Sequence, residues 1–74
     1  MPRARKPFHM YSVFVSTRTP EGVMRSEMVY FESNERAAQL AFARAVMHNP
    51  HAYAVEIHVD VRLLVRVHIE RPKP

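Results

Sequence analysis

Five histidines, His9, His48, His51, His58 and His68, are the side chains of this chain best suited to chemistry, as metal ligands or as proton carriers near neutral pH. His48 and His51 have the spacing of a helical metal pair. Asn49-Pro50 lies between them, however, and proline disfavours helix in the residue before it, so the two rings need not share a face. His58 and His68 both fall at even positions of an alternating segment, on its polar side. With no cysteine in the chain, a structural zinc site would need four converging nitrogen and oxygen donors, and no such set is spaced for it. Glu56 and His58, two residues apart, could pair as carboxylate and base. Yet Asp60 is the single aspartate, no serine sits in a nucleophile-elbow setting, and no glycine-rich phosphate loop is present. The expectation is a protein without catalytic residues, metal or cofactor, whose histidines and Glu56 decorate a solvated strand surface.

The elements that would carry these residues are readable from their patterns. Residues 8 to 18 are aromatic and β-branched and run into Thr19-Pro20-Glu21-Gly22. Proline presets φ for the first corner of a type I turn, and glycine accepts the left-handed conformation that closes a three-residue loop. That loop predicts Thr19 opposite Val23 and fixes the register behind it. Tyr11, Val13 and Val15 then face Phe31, Val29 and Glu27 on one side of the hairpin. Met10, Ser12, Phe14 and Ser16 face Glu32, Tyr30, Met28 and Ser26 on the other. The first set makes the better core.

Ser33 or Asn34 is placed to cap a helix over residues 34 to 48, with Glu35 in the first turn, where the helix dipole favours an acid. Five alanines between Ala37 and Ala45 give that segment high helix propensity. Ala38, Ala41, Phe42, Ala45 and Val46 form one stripe whose small residues permit close approach to a sheet, while Arg36, Gln39, Arg44 and His48 lie mostly outside it. Asn49-Pro50 ends the helix.

From Tyr53 to Ile69 every odd position is apolar, a period of two. A single strand over residues 53 to 70 would extend about 60 Å. A globule of this length has a radius of gyration of about 11 Å. The segment must bend back or project an arm for another molecule to pair with. A three-residue loop at Asp60, Val61 and Arg62 preserves parity, sets Val59 against Leu63 and Ile57 against Val65, and places Glu56 opposite Arg66 as a charge pair. The expected fold is therefore α+β, a two-layer ββαββ arrangement with a four-stranded antiparallel sheet and one helix on one face. It spans residues 8–70 between basic tails at 1–7 and 71–74.

Length and composition agree with one such domain. The chain has 74 residues, 47% hydrophobic and 24% charged, too apolar for intrinsic disorder. No apolar run approaches the roughly 18 residues of a membrane helix, and MPRARKP lacks the apolar core of a signal peptide, which implies a soluble, cytoplasmic protein. The net charge of +4 sits at the edges. Arg3, Arg5 and Lys6 precede the body and Arg71 and Lys73 follow it, whereas residues 8 to 70 hold six arginines against seven acids. Basic ends of this kind can reach a phosphate backbone or an acidic protein surface.

The hairpin, the helix S-N-E-R-A-A-Q-L-A-F-A-R-A-V and the closing segment A-V-E-I-H-V-D-V-R-L-L-V-R-V together resemble small phage-encoded ββαββ proteins, including anti-CRISPR proteins that bind type I surveillance complexes. The resemblance covers residues 8 to 70 as pattern and topology and carries no functional residue over by position. It implies a non-enzymatic inhibitor acting in the host cytoplasm by docking on a host protein or ribonucleoprotein complex. The near-neutral body is unlike the acidic members that mimic DNA. From the residues themselves, the candidate docking surface is Met10, Phe14, Met28 and Tyr30 with Arg18, Arg25 and Arg66, because methionine and aromatic side chains on an uncovered sheet face suit an adaptable interface. The alternative is a DNA- or RNA-binding module whose tail residues Arg3, Arg5, Lys6, Arg71 and Lys73 contact phosphate. A homodimer through the C-terminal strands is compatible with either.

Overall fold

The computed structural model describes residues 9–69. Strands β1 (Tyr11–Arg18) and β2 (Met24–Glu32) form the first hairpin, α1 (Glu35–His48) follows, and β3 (Ala54–Val59) and β4 (Arg62–His68) form the second. All four strands join one antiparallel sheet in the order β2-β1-β3-β4, with the helix on one face. This is the expected α+β ββαββ fold.

The first turn forms as its residues require. Gly22 takes φ 86°, its amide donates to the Thr19 carbonyl (2.8 Å), and Thr19 donates to the Val23 carbonyl (2.8 Å). The expected pairs hold from Arg18↔Met24 through Phe14↔Met28. A β-bulge at Val29 then shifts the register, so that Val13 faces Tyr30 and Ser12 faces Phe31. This corrects the register read from the sequence: Tyr30 moves to the helix side of the sheet and Phe31 to the open side. One extra residue exchanges the two faces because side chains alternate with a period of two.

The second hairpin differs in the same way. Its turn holds two residues, Asp60 and Val61, with Val59 opposite Arg62 and His58 opposite Leu63, in place of the expected three-residue loop. Asp60 enters the left-handed region (φ 55°), which the first corner of a two-residue hairpin turn needs and which aspartate tolerates. Its carboxylate accepts from the Met10 amide (3.0 Å) and from His9 Nδ1 (2.9 Å), and its own amide donates to the Met10 carbonyl (2.7 Å). A bulge at Leu64 then restores parity, so Ile57↔Val65, Glu56↔Arg66 and Val55↔Val67 pair as expected.

Asn34 caps the helix, its Oδ1 accepting from the Ala37 amide (3.0 Å), and Asn49 closes it by donating Nδ2 to the Ala45 carbonyl (2.7 Å). The expected stripe is the buried one: Ala38 and Ala45 are buried, and Ala41, Phe42 and Val46 pack beside them over Val13, Val15, Val55 and Ile57. Val13 and Val55 are the largest side chains that are fully buried. A core of this size leaves little room for error. Ala38→Leu is expected to wedge helix and sheet apart at a cost of about 1–3 kcal/mol. Gly22→Ala, whose added methyl would meet no atom within 4 Å, is expected to cost about 1 kcal/mol through backbone conformation alone. Urea unfolding midpoints of the two variants check both figures.

Candidate docking face

The face turned away from the helix is organised from β3 outward. Residues opposite in a ladder point to the same side, so Met28, Phe14, Glu56 and Arg66 form one row across the sheet, and Phe31, Ser12, His58 and Leu63 form the next. Glu56 anchors the two rows. Its Oε1 accepts from His58 Nε2 (2.8 Å) and its Oε2 from Arg66 Nε (2.6 Å). Because both oxygens are engaged, hydrogen bonding from His58, followed by the Arg66 guanidinium, holds the Glu56 carboxyl below its ordinary value against the opposing effect of its partial burial. Phe14 meets the His58 ring edge-on at 5.1 Å between centroids.

A second cluster lies toward the other end of the sheet. Tyr53 meets the His68 ring edge-on at 5.3 Å, and the Arg18 guanidinium stands 4.9 Å from the Tyr53 ring centroid, a cation–π contact. Ser16 and Ser26 hydroxyls share a hydrogen bond of 2.9 Å between the clusters. Ser12 and Ser16 are buried on this face. Met28 (49% exposed), Phe31 (55%) and Leu63 (42%) stand out toward solvent.

The fold gathers some of the expected docking residues and separates others. Phe14, Met28, Arg18 and Arg66 share the open face, and half-buried Met10 continues the same alternation at the end of β1. Tyr30 and Arg25 lie on the helix side. Tyr30 packs against the core with its hydroxyl buried and, among the described residues, without a hydrogen-bond partner; burial together with the nearby Glu32 carboxylate pushes its phenol above the ordinary value. Arg25 lines a hollow with Val15, Thr17 and Glu27. The open face also holds Phe31, Leu63 and Tyr53, which the sequence reading did not include. The bulges at Val29 and Leu64 hid the first two. The tail residues Arg3, Arg5, Lys6, Arg71 and Lys73 lie outside the described residues.

Among the described residues no group of three or more His, Asp or Glu side chains gathers to hold a metal ion, and no helix is long and apolar enough to cross a membrane. His58 and Arg66 each take one Glu56 oxygen, and with Phe14 against His58 the set is a clamp on side-chain conformation across three strands.

Glu56 gives the face a pH signature. Its folded value lies below the ordinary carboxylate value of about 4.5, so its stabilisation is fully present above that pH and is lost as pH falls through the folded value. Glu56→Gln is expected to cost about 1–2 kcal/mol near neutral pH and to flatten the stability profile below pH of about 4.5. Urea titrations across the acid range test this; an unchanged acid slope in the variant contradicts the assignment.

No family model, curated protein or solved structure matches the chain.

Proposed function

We propose that this is a non-enzymatic binding protein that docks by its open sheet face on a protein or ribonucleoprotein complex of a host cell, the inhibitor role that the resemblance to phage-encoded ββαββ proteins implies. The observation that carries this reading is the row of Met28 and Phe14 beside Phe31 and Leu63, with no helix or loop among the described residues laid over it. Apolar and sulfur-containing side chains beside the Glu56 clamp offer a ready contact surface, and their burial against a partner is favourable in proportion to the apolar area removed from water. Arg18 and Arg66 at the margins add polar specificity at the rim.

A nucleic-acid reading is favoured by one separate observation. The rings of Phe14, Phe31 and Tyr53 share this face, and the two ends of the described chain lie at opposite ends of the sheet. The chain enters at His9 beside the Asp60 turn and leaves at Ile69, whose amide donates to the Tyr53 carbonyl (2.9 Å). Stacking of bases on such rings, with cationic tails on phosphate, would lose affinity steeply with salt.

Tagged full-length protein, captured from host lysate with and without nuclease, separates the two. A protein complex retained after nuclease and lost from Met28→Glu and Phe31→Glu variants of unchanged circular dichroism supports protein docking, with an expected loss of at least about tenfold in binding. Retention of the same partner by both variants overturns the assignment of the face. Material lost on nuclease treatment, together with a steep salt dependence abolished by deleting residues 1–6 and 71–74, supports the nucleic-acid reading.

A further inference from the structure

The other side of β2 carries a second, independent surface. Between the edge strand and α1 runs a groove of about 480 Å³ lined by Val29, Tyr30, Leu40, Ala41, Arg44 and His48, among others. Past Val29 and Asn49 it continues into a hollow of about 480 Å³ that reaches Arg25 and Glu27. The bulge creates the floor, since it turns the consecutive residues Val29 and Tyr30 toward the helix together. Val29 (49%) and Leu40 (56%) remain exposed on either wall.

We propose that this groove receives an extended acidic peptide of a partner protein, which pairs with β2 as a fifth strand. Three features specify that occupant. Among the described residues β2 pairs only with β1, so alternate amides and carbonyls along its outer edge are available for a ladder. The first hollow has an apolar floor, no carboxylate in its lining, and the cation Arg44 on its rim, which makes no ion pair or hydrogen bond among the described residues. Arg25 supplies a second cation farther along, set against Glu27. A bound strand projects alternate side chains into the groove, so its inward positions must combine apolar groups over Val29 and Leu40 with carboxylates toward Arg44 and Arg25. The same charges disfavour pairing with the β4 edge of a second copy. That strand carries Arg62 and no acid, and its Arg66 is already paired with Glu56, so it brings the groove no carboxylate.

The test uses the full-length protein and synthetic octapeptides in which Glu, Leu and Val occupy the inward positions in every combination, each with a Lys-for-Glu counterpart. Fluorescence anisotropy is expected to find acidic members with dissociation constants on the order of 100 μM, with amide shifts concentrated on β2 and α1. The Lys counterparts and an Arg44→Glu protein should bind at least about tenfold more weakly. N-methylation of alternate peptide amides should abolish binding, because it removes ladder hydrogen bonds and leaves charge intact. The proposal is overturned by any of four results. These are no binding by any acidic member at about 1 mM, equal binding of the Lys set, indifference to N-methylation, or shifts centred on Phe14 and His58 of the opposite face. Arg44 is exposed on the helix, and circular dichroism of the variant confirms that a loss is not one of folding.

Discussion

One helix of 14 residues lies across four strands, and most of what this molecule presents to its surroundings follows from that mismatch. A helix is about 10 Å wide with its side chains, while four strands spaced about 4.8 Å apart span roughly twice that once side chains are counted. The helix therefore covers the central strands and leaves both margins of its own face open. Val13, Val15, Val55 and Ile57 on β1 and β3 are buried, whereas Val29 on β2 and Leu64 and Val65 on β4 stay half in water. The alanine stripe sharpens the effect. Short side chains bring the helix axis close to the sheet, which packs the centre tightly and leaves a hollow at either margin. Between the helix and β4 a gap of about 130 Å³ remains, bordered by Phe42, Ile57, Leu64 and Val65.

The two edges respond alike. Each edge strand carries a bulge, at Val29 in β2 and at Leu64 in β4, and each bulge turns two successive apolar residues toward the helix side. Added side-chain volume at the margins partly offsets what the narrow helix leaves uncovered. Bulges also increase local twist and interrupt a flat edge, which discourages indiscriminate pairing between copies. The edges nevertheless differ in charge. β4 presents arginines and a histidine, whereas β2 mixes Arg25 with Glu27 and Glu32. An incoming strand thus meets two chemically distinct margins on one small sheet.

These features also explain what was legible before the fold was known. The Pro20-Glu21-Gly22 loop and the alanine stripe each announce local geometry through a residue type with a strong conformational reason, and each stands as read; the alternation from Tyr53 to Ile69 gave the second hairpin and its pairs from Ile57↔Val65 onward, but not its turn. The bulges escaped because they sit within continuous apolar runs. Met28-Val29-Tyr30-Phe31 and Leu63-Leu64-Val65 read equally well in either parity, so no polar residue marks the slip. The Asp60 turn escaped for another reason. Its left-handed backbone is supported by bonds to His9 and Met10, fifty or more positions away in the chain, and local propensity cannot register such a partner. The consequence for the candidate face was specific. Tyr30 and Phe31 exchanged sides, and Leu63 joined the open face, while Phe14, Met28, Arg18 and Arg66 stayed where alternation put them.

The open face is more than the uncovered back of a sheet, because its side chains are held by one another. A surface of independent rotamers loses conformational entropy when a partner immobilises it, at roughly 0.5–1.5 kcal/mol for each flexible side chain. Here much of that ordering has already occurred. Glu56 links β3 to Arg66 on β4 and fixes His58, His58 meets Phe14 on β1, and Ser16 joins Ser26 on β2, so the contacts cross all four strands. Arg18, Tyr53 and His68 repeat the device at the far end. What remains free is Met28, whose unbranched thioether can adapt its shape, and the rings and leucine around it. A rigid polar and aromatic frame with a few adaptable apolar contacts is an economical arrangement for docking. It would limit the entropy lost on association while leaving enough give for a partner's surface to be matched.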